Sequence, residues 1–369
     1  MLAAVPLLAA AAGPAPTPPG TFVPGINGIP RAGGTQLEDA RAAGFAAVRV
    51  FLRWDEIEMQ EGAPDWTCRF LTDADIGRDV DGDGRRDPWP GIPCDGTPCG
   101  CGYSADERVE MIAGAGLPIM LTLVGTPVWA RGRPGIDCSS PPPGRALPLR
   151  SEKAGAFREF AARVAMRYGS RAYAFELWNE PDLAACVMWA GTRQQYKEQI
   201  LSAAAVIKST GVTPGLVVAP TLESPSGDAM DAWMDWSAPV DLLSFNLYKI
   251  DVPSALAKIE EMNAWCRERP RCGGFYITEF GARKAGIKSC PGPRTNAPAA
   301  ADVAIMTRCR NRRSCAGFFL FTLSDNANRP ECDRGLFARN GCRKRRLCMI
   351  AQRFFGVTDL PYACVGCRP

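Results

Sequence analysis

Histidine is absent from all 369 residues of this sequence. Ser-His-Asp and Cys-His nucleophile systems, HExxH zinc sites and ordinary haem attachment are thereby excluded, because each needs an imidazole as base, ligand or orienting partner. Acid–base chemistry is left to carboxylates, lysine, tyrosine and cysteine. A strong charge imbalance is lacking too. The 43 Lys+Arg set against 39 Asp+Glu leave a net charge of +4, which gives no whole-molecule field favouring nucleic acid or an anionic membrane. A small or neutral partner fits at least as well. Long apolar runs are missing as well: residues 2–12 are too short to span a bilayer and nothing later is long enough, so no membrane span is predicted.

That N-terminal run ends in Ala10-Ala11-Ala12, an A-x-A cleavage pattern, ahead of a Pro-rich stretch over residues 13–20. Residues 1–20 are read as a signal peptide and leader, although the basic n-region of a signal peptide is missing. Cysteine, by contrast, is abundant. Sixteen thiols persist as disulfides only in an oxidising compartment, so up to eight bridges in a secreted or periplasmic protein are expected.

Short apolar runs at residues 22–27, 46–51, 118–124, 172–178, 216–220, 241–245, 274–279 and 316–321 read as strands. Helical patterns fall between them at residues 37–43, 105–115, 152–168, 193–209, 255–267 and 299–308. Alternating strands and helices pair in parallel, and eight units is the count that closes a barrel. The predicted fold class is α/β, a (β/α)₈ TIM barrel, with residues 21–369 as one domain. An open doubly wound sheet is the alternative, but the first strand runs into Gly25-Ile26-Asn27-Gly28 without a G-x-G-x-x-G turn. A Cys-rich insertion occupies residues 67–104 after the second strand, and a basic, Cys-rich tail follows the eighth.

Chemistry in such a barrel sits at the C-terminal ends of the strands. The fourth strand ends Glu176-Leu177-Trp178-Asn179-Glu180-Pro181 and the seventh ends Ile277-Thr278-Glu279-Phe280-Gly281. Strands four and seven lie on nearly opposite walls, so Glu180 and Glu279 face each other across the mouth. Glycoside hydrolysis needs such a pair: one carboxyl protonates the leaving oxygen, and the other attacks the anomeric carbon at a separation of about 5–5.5 Å or activates water when further apart. Two structural ion-pair partners are the competing reading of the same residues.

Trp178-Asn179-Glu180-Pro181 with Glu279 on a later strand resembles the clan of retaining β-glycosidases that carry acid/base and nucleophile on strands four and seven. Within it, Trp178 to Leu183, Trp189, Tyr196 and Ala219-Pro220 resemble glycoside hydrolase family 39, which includes β-xylosidases and exopolysaccharide hydrolases. Arg53-Trp54-Asp55-Glu56-Ile57-Glu58 with Gly62 and Asp65-Trp66 is similar too, as is Thr126-Pro127-Val128-Trp129-Ala130. The resemblance spans residues 25–325. It implies Glu180 as acid/base, Glu279 as nucleophile, Asn179 on the sugar 2-hydroxyl, and Arg49 and Tyr248 on the nucleophile's carboxylate. Asn246 stands where the clan usually has histidine, and Phe319-Leu320-Phe321 where many members have a tryptophan, so the substrate stays open. Trp54, Trp129, Trp178 and Trp189 are candidates for stacking on sugar and equally for filling the core.

Inside the insertion, Asp79-Val80-Asp81-Gly82-Asp83-Gly84-Arg85-Arg86-Asp87 spaces its aspartates as a calcium loop does, with Arg85 offering its carbonyl. It lacks the closing glutamate, and a solvated acidic turn is the other reading. The calcium would be structural, and no cofactor is needed for catalysis. Cys266 with Cys272, Cys309 with Cys315 and Cys332 with Cys342 are candidate bridges. Cys94, Cys99 and Cys101 read as disulfide partners rather than zinc ligands, and the arginine clusters 310–313 and 343–346 as solvated. The expected function is a secreted retaining hydrolase of β-linked oligo- or polysaccharide. A catalytically silent carbohydrate-binding barrel, or a transglycosylase, is the alternative.

Overall fold

The computed structural model describes residues 21–30, 35–67, 103–138, 142–183, 186–212, 215–248, 251–281, 297–323, 335–337 and 343–358. Eight parallel strands close into one barrel in chain order, with β8 paired to β1. They are β1 Val23–Asn27, β2 Ala47–Arg53, β3 Ile119–Val124, β4 Ala172–Leu177, β5 Leu216–Leu222, β6 Leu242–Leu247, β7 Phe275–Phe280 and β8 Cys315–Leu320. All eight predicted strands are present and the doubly wound alternative is excluded.

Alternation along each strand divides the apolar residues between two cores. Val48, Val50 and Leu52 of β2, Phe175 and Leu177 of β4, and Phe275 and Ile277 of β7 belong to the large core between barrel and helices. Val23, Ala47, Met120, Tyr173, Ala174, Val218, Tyr276 and Phe319 form a separate cluster inside the barrel. Above that apolar floor the interior turns polar, and the buried Asn27, Arg49, Thr122, Glu176, Thr221, Ser244 and Thr278 supply one side chain from each of the first seven strands.

The helices are α1 Gln36–Ala42, α2 Trp54–Ile57, α3 Ala105–Gly114, α4 Ala156–Tyr168, α5 Arg193–Tyr196, α6 Ala203–Ser209, α7 Gly227–Trp233, α8 Val252–Arg267, α9 Ala297–Arg310 and α10 Arg345–Ile350. Several start on caps legible in the sequence: Ser104 and Glu107 form a capping box on α3, and Asp251 caps α8 with Pro253 in its first turn. The predicted helix 193–209 is broken by a π turn at Lys197–Leu201.

Besides the four-residue α2, two helices had no counterpart in the sequence reading. At seven residues, α7 is too short to establish a 3.6-residue period. The other, α10, completes the eighth βα unit inside what reads as a basic tail. Its cluster is not simply solvated: Arg343 bonds Asp39, and Arg346 bonds the fully buried Asp302. In the other cluster, Arg312 bonds Glu260 and Arg310 lies over the Phe354 ring. After α10, Phe354 packs on Phe318 and Phe355 on Phe45, closing against Gly44, where any side chain would collide with the Phe355 ring.

The disulfides Cys266–Cys272 and Cys309–Cys315 are as predicted, and Cys138–Cys186 joins the loop after β3 to the loop after β4. Residues 1–20, Asp79 to Asp87, Cys94, Cys99, Cys101, Cys332 and Cys342 lie outside the described residues. Among the described residues no helix is long and apolar enough to cross a membrane.

Candidate active site

Strand β4 ends in an abrupt change of backbone direction. Trp178 and Glu180 both take positive φ, 81° and 43°, in the left-handed region that costs a non-glycine residue about 1–2 kcal/mol. The turn is held from both sides, with the Trp178 amide donating to the Leu123 carbonyl at 3.0 Å and the Glu180 amide to the Thr221 carbonyl at 2.7 Å. Residues held in this way cluster where a side chain must be aimed. On the facing wall Glu279 lies in β7, paired in register with Asn246 of β6.

Each glutamate has its own partners. Arg49 Nη1 donates to Glu279 Oε1 at 2.7 Å and the Tyr248 hydroxyl to Glu279 Oε2 at 2.6 Å, so both oxygens are anchored. Asn246 Nδ2 donates to Glu180 Oε1 at 2.6 Å, and the Asn246 carbonyl faces the Thr278 hydroxyl at 3.3 Å. Burial pushes the Glu180 carboxyl up to about 7, the negative charges of Glu279 and Glu223 add to that rise, and the Asn246 hydrogen bond and Arg49 oppose it. One carboxyl therefore keeps its proton near neutrality beside another that is bonded to a guanidinium.

Arg49 organises the floor of the site. Its Nε donates to Glu176 Oε2 at 2.8 Å and Nη2 lies 2.7 Å from the same oxygen. Nη1 reaches Asn27 Oδ1 at 3.0 Å as well as Glu279, and Nη2 reaches Asn179 Oδ1 at 2.8 Å. A guanidinium only donates, so it is the Asn179 carbonyl that faces Arg49, and the amide NH₂ is left for other partners. The charge is taken up by carboxylates: burial alone would lower the Arg49 pKa, and Glu176 and Glu279 carry it above its ordinary value.

Six of the predicted site residues thus come together: Glu180, Glu279, Arg49, Asn179, Asn246 and Tyr248. The tryptophans divide differently. Trp54 and Trp178 are buried on the outside of the barrel, in an edge-to-face run from Trp54 through Phe157, Trp178, Trp189 and Tyr196 to Trp233. Their indole N–H groups are satisfied by Glu58 and by the Met188 carbonyl. Expectation of sugar contact at these two is corrected, because both side chains are packed into the core between barrel and helices, Trp54 from α2 and Trp178 from the left-handed turn after β4. Trp129 is half-buried, edge-on to Trp54, and keeps an open surface.

Sequence reasoning missed Glu176, which accepts from Arg49, Thr122, Thr221 and Ser244. A signal was there: a lone charge within the apolar run of β4, four residues before Glu180. The interior hydroxyls gave none, since threonine and serine are ordinary in strands. A cavity of about 740 Å³ opens at the opposite, N-terminal end of the barrel, between Val23, Tyr173 and Leu216, and none of the six converging residues lines it.

No family model matches the chain, and no curated protein matches it. Solved structures do. A family 39 β-xylosidase from Caulobacter crescentus aligns with a TM-score of 0.59 at 17% identity, over 95% of this chain and 73% of that one. A glucosidase from Croceicoccus marinus aligns at 0.58 and 16%, over 92% and 67%. A family 39 glycoside hydrolase from Bacteroides cellulosilyticus aligns at 0.57 and 13%, over 90% of this chain and 64% of its own length. The fold is that of these glycoside hydrolases. At such identities the likeness is one of backbone, so what the site does is argued from its own residues.

Proposed function

We propose that this protein hydrolyses β-linked oligo- or polysaccharides with net retention of anomeric configuration. Glu180, protonated near neutral pH, gives its proton to the glycosidic oxygen while the Glu279 carboxylate attacks the anomeric carbon, and the leaving sugar departs as an alcohol. Glu180, now a carboxylate, then takes a proton from water, which attacks the same carbon and frees Glu279. Arg49 and Tyr248 hold both Glu279 oxygens for attack, and the Asn179 amide is turned toward the sugar's 2-hydroxyl. The observation that carries this reading is the asymmetry of the pair: one carboxyl raised to about 7 and the other bonded to Arg49 and Tyr248. The glycosidase barrels to which the fold is similar support it.

Export through a cleaved leader and a structural calcium at Asp79, Asp81, Asp83, Arg85 and Asp87 belong to the same proposal and rest on the sequence pattern. The deciding experiment uses Glu279→Ala on a broad panel of β-glycans. Turnover is expected to vanish and to return in part with azide, giving a glycosyl azide of inverted configuration. Normal activity in that variant rejects the assignment. Sugar binding by the unmodified protein with no release of reducing ends identifies a silent carbohydrate-binding barrel instead.

A further inference from the structure

One carboxylate inside the barrel has no part in the two-glutamate chemistry. Glu176 is wholly buried below Arg49 and accepts from Arg49 Nε at 2.8 Å, Thr122 Oγ1 at 2.6 Å, Thr221 Oγ1 at 2.5 Å and Ser244 Oγ at 2.8 Å. Burying a charge there is costly, and interior positions of such barrels are ordinarily filled by Val, Ile or Leu. Hydroxyls from three strands, β3, β5 and β6, nevertheless converge to sustain it.

The geometry shows what the charge accomplishes. A guanidinium is a planar fork, and its plane is fixed once a carboxylate oxygen sits on one edge. Glu176 Oε2 occupies the Nε–Nη2 edge of Arg49, which leaves Nη1 directed at Glu279 and the rest of Nη2 at Asn179. Without it, Arg49 could pair end-on with Glu279 and release Asn179.

We propose that Glu176 is a positioning residue of this active site, fixing through Arg49 the orientation of the Glu279 carboxylate and the Asn179 amide toward bound sugar. The inference rests on the two-glutamate reading above. Charge enters as well. Glu180 is faced by Glu279 from β7, Glu223 beyond β5, Arg49 from β2 and the neutral Asn246 from β6, while Glu176 is faced by Arg49 and felt by the buried Tyr173 and Tyr196 hydroxyls. One guanidinium stands among three carboxyls, so with the Glu176 carboxylate replaced, more of the Arg49 charge is left to favour the Glu180 carboxylate.

Glu176→Gln isolates that effect. Its carbonyl can keep the Arg49 bond, and its NH₂ then meets Thr221 and Ser244, whose hydroxyls can turn to donate to Thr278 Oγ1 and the Ala219 carbonyl, 2.6 Å and 2.7 Å away. In the full-length protein, kcat is expected to fall at least about tenfold with KM little changed, and the alkaline limb of the pH profile of kcat/KM to move to lower pH. Glu176→Asp keeps the charge but withdraws it from Arg49, so kcat falls while the limb stays. A folded Gln variant with unaltered kcat and limb overturns the proposal, and so does a lower Tm with neither changed. If Glu176→Gln yields no folded protein, Glu176→Asp decides: lowered kcat at unaltered KM supports positioning, and unaltered kcat overturns it. Activity surviving in Glu279→Ala rejects the parent reading, whereas Glu180 and Glu279 proving essential beside an indifferent Glu176 rejects only this one.

Discussion

Asn246 Nδ2 lies 2.6 Å from Glu180 Oε1, an amide holding one oxygen of the carboxyl that burial has pushed up to about 7. An amide has no charge to gain or lose at any working pH, and because it donates, the Glu180 proton is left to the other oxygen, Oε2. With no histidine anywhere in the chain, the upper edge of the activity profile falls to Glu180 itself.

Activity in kcat/KM is therefore expected to decline as pH rises through about 7, where Glu180 loses the proton it must donate. Asn246→Ala removes a hydrogen bond that favours the carboxylate, so the decline should move to higher pH. A pH series on both proteins checks it, and a shift to lower pH in the variant contradicts the assignment.

The same carboxyl ties stability to pH. Its folded value lies above the ordinary 4.5, so the stability contributed by protonated Glu180 is fully present below about 4.5 and is lost as pH rises through about 7. The loss is roughly 3 kcal/mol at most, since the side chain keeps some solvent contact. Glu180→Gln should match the unmodified protein in Tm at pH 4 and exceed it at pH 8.

Tyr248→Phe takes away only the hydroxyl that donates to Glu279 Oε2. A hydrogen bond to a charged group converts to about 10- to 100-fold in rate, and that loss is expected in kcat with the fold intact. Steady-state kinetics beside a circular dichroism melt separates this from unfolding.

The tryptophans should split by role. Trp54→Ala empties a fully buried site and is expected to cost about 3–5 kcal/mol of stability while leaving KM in the surviving protein unaltered. Trp129→Ala, at a half-buried position beyond β3, should raise KM with a small change in Tm. Denaturant melts and saturation curves on both variants test the division.

Cys138–Cys186 closes a sequence separation of 48, for which loop-closure entropy gives about 4 kcal/mol. Replacing both cysteines with serine should lower Tm and reduce kcat, because one end of the bridge lies in the loop that carries Glu180. Equal Tm values with and without a reductant would show that this staple contributes nothing.

The barrel and its glutamate pair were legible in the sequence because their signals are local: apolar runs of strand length, and a carboxylate where each run stops. Glu176 and Asn27 were hidden for the opposite reason. Their importance lies in which strands meet, and Asn27 bonds the carbonyls of Thr278 and Phe319, 251 and 292 residues away. Trp178 shows the limit from another side. Its neighbours Asn179 and Glu180 turn inward, and only the left-handed backbone at 178 and 180 reveals that the indole goes outward. The helix α10 was masked by charge, since Arg346 reads as solvated until Asp302 is found beneath it.

Asn27 also gives the site a place in time. It holds Arg49, yet its own amide is held by β7 and β8, the last strands the chain supplies. A chain that has formed its early βα units but not yet brought β8 against β1 has every named residue of the pair and no fixed guanidinium to align them. During refolding, hydrolytic activity should consequently lag behind helix content and appear only as β1 and β8 close, so half-built molecules make no cuts.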